Sequence, residues 1–150
     1  MKLAEALILR ADLSKRLEQL RQRLTASALV QEGEEPAEDP QVLLSQLDQV
    51  TQELEALVAR INLTNASRKK DGRTLTELLA RREVLQQKIS VLQSLLDTAS
   101  HRVNRGSRSE VKIYSTVSVP ELRKHTDELS KELRLLDTAI QSANWSVDLK

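Results

Sequence analysis

Apolar residues return every three or four positions over most of this chain, the spacing of helices that each bury one narrow stripe. Leu13, Leu17, Leu20 and Leu24 step by four, three and four, and the series runs back through Arg10 and Ala6 to Leu3. That seam predicts a first helix over residues 2–29. The segment VQEGEEPAEDPQ stops it with Gly33 and Pro36, giving an acidic loop over 30–39. Asp39 before Pro40 reads as an N-cap followed by proline at the first helical position. A second seam, Leu43, Leu47, Val50, Leu54, Leu57 and Ile61, predicts a helix over 40–69 that ends at a turn built on Asp71 and Gly72. Thr74 and Glu77 form a capping box for a third helix over 74–103, whose seam of Leu75, Leu78, Leu85, Ile89, Leu92 and Leu96 also contains Arg82. Ser118, Pro120 and Glu121 open a fourth over 119–145, with Leu122, Thr126, Leu129, Leu133, Leu136 and Ile140 on its seam.

Between the third and fourth helices the period drops to two. Val111, Ile113, Ser115, Val117 and Val119 alternate with Lys112, Tyr114, Thr116 and Ser118, which predicts a short β-strand or β-ribbon near residues 110–119. Such a strand must fold on itself, pair with another segment, or pair with a second copy of the chain. The expected fold is therefore mainly α. Long antiparallel helices form a coiled-coil hairpin or four-helix bundle, as one domain over residues 1–150. Seams this narrow, with spare apolar positions such as Leu44, Val58, Leu79, Leu95 and Leu135, point to a homo-oligomer.

Polar residues interrupt this pattern in each helix. Where the second seam next needs an apolar residue, the sequence ARINLTNAS places Asn62, Thr64 and Asn65. Residues equally far from a tight turn lie at the same height in an antiparallel pair, which matches Arg10, Asn62, Asn65, Arg82 and Asn144 to one end of the bundle. A guanidinium has five donors and needs acceptors when buried, and Asn supplies them. These five residues are the candidate polar layer, which fixes register or lines a pocket for an anion or small ligand.

Composition narrows the chemistry. Phe is absent, and Tyr114 and Trp145 are the only aromatics, so the core must be aliphatic. Three Gly and three Pro suit a few long helices. The charged residues nearly cancel, at a formal net charge of +1, which argues against a polyanion binder. Two basic patches, Arg68 to Arg73 and Arg102 to Arg108, lack interleaved aromatics for base stacking, so no nucleic-acid partner is expected. Without Cys there is no disulfide framework and no thiolate chemistry. His101 and His125 lack metal-ligand spacing, and no phosphate-binding glycine loop or nucleophile elbow occurs, so no metal, cofactor or enzymatic reaction is expected. The N-terminus has no cleavage site, and no apolar run approaches the roughly 20 residues that span a bilayer. A cytoplasmic protein with no stable membrane insertion is expected, and the N-x-S/T sequons at Asn62, Asn65 and Asn144 are then coincidental.

The segments MKLAEALILRADLSKRLEQLRQRL, ALVQEGEEPAEDP, ARINLTNAS, DGRTLTELLARRE, RSEVKIYSTVSV and AIQSANWS resemble, in order along nearly the whole chain, the septicolysin-like family of small bacterial proteins. The resemblance implies a mostly helical cytoplasmic bacterial protein and supplies no catalytic residues. With no Cys and one Trp, the chain lacks the cysteine-bearing, tryptophan-rich loop of thiol-activated cytolysins. The expected function is accordingly that of a non-enzymatic, self-associating helical protein that meets an unknown protein partner. The alternatives are a membrane-active, toxin-like protein and a ligand-binding protein using the polar layer.

Overall fold

The computed structural model describes residues 1–101 and 111–150. Among the described residues four helices carry the fold: α1 (Leu3–Ala26), α2 (Pro40–Ser67), α3 (Leu75–Ser100) and α4 (Val119–Ser146). The protein is mainly α, as its seams require. Two of the caps legible in the sequence are formed. The Asp39 carboxylate accepts the backbone N–H of Gln41 at 2.9 Å, with Pro40 as the first helical residue of α2. The Ser118 hydroxyl accepts the N–H of Glu121 at 3.4 Å at the start of α4. At α1, the Lys2 N–H donates to the Glu5 carboxylate at 2.6 Å, occupying one of the donors a helix start leaves free.

The strand expected near 110–119 is not present among the described residues. Over 111–118 the chain is irregular, and residue 110 lies outside the described residues. Alternating β-branched residues suit a pleated surface, but a strand also needs a ladder, and none forms here among the described residues. The β structure lies instead on either side of Asp71 and Gly72. Strand β1 (Lys69–Lys70) pairs antiparallel with β2 (Arg73–Thr74), in the register Lys69 with Thr74 and Lys70 with Arg73. Asp71 and Gly72 have φ of 51° and 82°, the left-handed pair that a two-residue hairpin turn demands. α2 therefore stops at Ser67, two residues short of the expected boundary, because Lys69 and Lys70 enter this ribbon.

The chain divides into two compact units. Residues 1–75 and 141–150 make the first; residues 76–140 make the second. In the first unit α1 and α2 pack side by side, and one buried series on each helix keeps a seven-residue spacing: Ala6, Leu13 and Leu20 on α1, then Leu43, the half-buried Val50, Leu57 and Thr64 on α2. The second heptad stripe of α1 closes less well, since Leu3 is buried, Arg10 is exposed, and Leu17 and Leu24 are only partly covered. In the second unit, Leu85 and Ile89 of α3 pack against Leu129 of α4, with Leu92 and Leu133 at the edge of the cluster. Arg81 bridges to Glu132 across the same pair, and Arg82 stands 3.5 Å from Asp137. Among the described residues no helix is long and apolar enough to cross a membrane.

Candidate functional site

The five residues of the expected polar layer occupy different environments. Arg10 and Asn62 lie on the exposed sides of their helices, Asn65 is partly buried, and Asn144 is buried. Arg82 belongs to the second unit, on the seam of α3, where the Asp137 carboxylate answers its charge. Arg10 is therefore no part of a buried layer. Arg10 shares the heptad stripe of Leu3, Leu17 and Leu24, and it is exposed where that stripe is incompletely covered.

In the first unit the polar group on the seam is Thr64, wholly inaccessible at 0% exposure. It sits seven residues beyond Leu57 and fourteen beyond Val50, in the register of the α2 core. Its hydroxyl donates to the Arg60 carbonyl at 2.8 Å and accepts the backbone N–H of Lys150 at 3.0 Å. Arg60 Nε donates to the backbone oxygen of Lys150 at 2.7 Å. These bonds anchor residues 147–150, which also lie along the start of α1. The Leu3 N–H donates to the Val147 carbonyl and the Leu149 N–H to the Met1 carbonyl, each at 2.9 Å, around an antiparallel bridge between Lys2 and Asp148. Lys2 Nζ adds an ion pair to Asp148 at 2.8 Å and a hydrogen bond to the Ser146 carbonyl at 3.2 Å. The seam interruption that the sequence marks with two asparagines thus holds the segment after α4 through the threonine between them.

The hydrogen bond from Lys2 holds the Asp148 carboxyl below the usual aspartate range. A depressed carboxyl stabilises the fold above its ordinary pKa, and that contribution is lost as the pH falls through the folded value. Acidification below about pH 4 should therefore loosen this clasp. Because this ion pair is exposed, the expected result is a fall of only about twofold in hydrogen-exchange protection at the Leu3 and Leu149 amides. In Asp148→Asn the protection should already be reduced at neutral pH and should fall less on acidification.

Grooves lined by described residues flank the α1/α2 pair in the first unit. One, of about 360 Å³, is lined by Arg16, Gln19, Leu20, Arg23, Gln46, Gln49 and Val50. Arg23 already binds the Glu38 carboxylate, with Nε to Oε2 at 2.9 Å, and holds that carboxyl below its usual range. Another, of about 420 Å³, is more apolar: Leu17 and Leu24 of α1 face Leu47 of α2, and Glu18 and Arg21 sit on the rim. Arg21 donates to Glu18 from Nε at 2.9 Å and from Nη2 at 2.5 Å, which lowers the Glu18 carboxyl below the usual glutamate range. The second unit has an exposed apolar stripe of its own, Val84 and Val91 one heptad apart with Leu95 beside them. No group of His, Asp and Glu able to hold a metal ion occurs among the described residues.

A family of unknown function (DUF6847) matches the chain over residues 10–149. Among solved structures, the chain is similar to a crystal structure of a functionally unknown conserved protein from Corynebacterium diphtheriae. The two share 40% sequence identity, with a TM-score of 0.91 over 100% of this chain and 99% of that one. No curated protein matches the chain.

Proposed function

We propose that this chain, which belongs to the DUF6847 family of unknown function, is a self-associating helical protein with a structural or interaction role rather than a catalytic one. The observation that carries this reading is the half-open seam of the α1/α2 pair. Leu17, Leu24 and Leu47 occupy core positions of a heptad pattern but remain partly accessible, and they line an apolar groove. A two-helix pair has too few neighbours to close such a seam, and a further helix set against it removes apolar surface from water, at roughly 25 cal/mol per Å². The heptad-spaced Val84 and Val91, 62% and 68% exposed, support the same reading in the second unit. The septicolysin-like resemblance agrees with it, since that too implies a mostly helical protein without assigned chemistry.

Light scattering coupled to size exclusion tests the proposal. A mass of at least two chains is expected at micromolar protein, and the mass of one chain at every concentration overturns the reading.

A further inference from the structure

Along α1 the residues that line the larger groove run Ser14, Leu17, Glu18, Arg21, Leu24 and Thr25. In chemical type the order is hydroxyl, leucine, acid, base, leucine, hydroxyl, which read backward is the same except that acid and base exchange places. At about 100° per residue all six fall within about a third of the helix circumference, so they present one face. A two-fold axis perpendicular to α1, passing between Glu18 and Arg21, lays this face on an antiparallel copy of itself. Glu18 then meets Arg21 of the second copy, Ser14 meets Thr25, and Leu17 lies within a turn of Leu24. The reciprocal contacts repeat on the other side of the axis, as an isologous interface requires. A parallel pairing would set Glu18 against Glu18 and Arg21 against Arg21, so the charges select the antiparallel one.

From this complementarity we infer that the groove beside α1 is the contact between two copies of this chain, packed antiparallel about an axis between Glu18 and Arg21. The inference rests on the self-association reading and names its face. Both ions are available for it: their side chains are 50% and 71% exposed for Glu18 and Arg21. A carboxylate offers about four acceptor sites and a guanidinium about five donors, so each keeps its bonds within α1 while binding the second copy. Leu47 of α2 forms the far wall of the groove, which leaves room above Leu17 and Leu24 for the leucines of the facing helix.

Charge reversal tests the arrangement. In E18R the introduced arginine faces Arg21 of the second copy, and in R21E the introduced glutamate faces Glu18 of the second copy. Either variant alone is therefore expected to dimerise about tenfold or more weakly than wild type. Mixed in equal amounts, one chain brings two arginines to the interface and the other two glutamates. Sedimentation equilibrium should then show recovery of a heterodimer with near wild-type affinity. Both positions are exposed, and unchanged far-UV circular dichroism confirms that each variant is folded. If wild type assembles while both variants assemble equally well, or the mixture fails to recover, this face is wrong and the self-association reading stands. A wild type that stays monomeric removes both.

Discussion

Leu13→Ala is expected to lower the stability of the first unit by about 2–5 kcal/mol, the cost of losing buried methyl groups together with the cavity they leave. Leu13 is completely inaccessible, and it sits in the middle of the α1 core series between Ala6 and Leu20. The core around it contains no Phe to swing into the space, and Ala6 is already small. Relaxation is therefore limited, which places the loss toward the upper half of the range. The chain provides its own reporter. Trp145, its single tryptophan, belongs to the first unit, so fluorescence during urea unfolding follows that unit. Leu29→Ala is the control: Leu29 is 89% exposed at the start of the acidic loop region, and its truncation should change stability by no more than about 0.5 kcal/mol. A loss below about 1 kcal/mol at Leu13 would mean that the α1 core is loosely packed.

Most of the helical frame could be read from the sequence because its signals are local. Asp39 with Pro40 marks one cap, Asp71 with Gly72 marks one turn, and leucine spacing marks every helix. What was hidden depends on partners far along the chain. The alternation from Val111 to Val119 states only a local preference, and no ladder forms over it among the described residues. The ribbon at Lys69–Thr74 is two residues per strand, too short for any periodicity to show, although Asp71 and Gly72 are the residues that a tight hairpin favours. Counting threes and fours backward puts Arg10 in the seam, and it does share the heptad stripe of Leu3 and Leu17, but spacing alone does not show that this stripe is left uncovered at Arg10. Seven-residue steps forward from Leu43, Val50 and Leu57 arrive at Thr64, so the buried polar residue was legible once the heptad was held fixed. Its role was not. The segment it holds, residues 147–150, is bound mainly through backbone groups, which leave no side-chain signature.

Thr64→Val is expected to cost about 0.5–1.5 kcal/mol, the net worth of the part-buried hydrogen bond that the hydroxyl accepts, with side-chain volume nearly preserved. The hydroxyl that accepts the Lys150 N–H disappears, while the apolar fill of the seam is retained. The loss should spread along the segment. With only the Arg60 bond left to hold Lys150, the Leu149 to Met1 and Leu3 to Val147 bonds lose part of the anchor that holds their segment in place, and the Lys2 to Asp148 ion pair is too exposed to replace it. Hydrogen exchange should therefore accelerate at the Leu3 and Leu149 amides, with little change at Leu85 or Ile89 in the second unit. Thr64→Ser restores the acceptor but removes a buried methyl. It should recover the amide protection while regaining only part of the stability, separating the hydrogen bond from the packing. Equal protection of Leu149 in Thr64→Val and wild type would show that backbone pairing with Met1 holds the segment without the threonine.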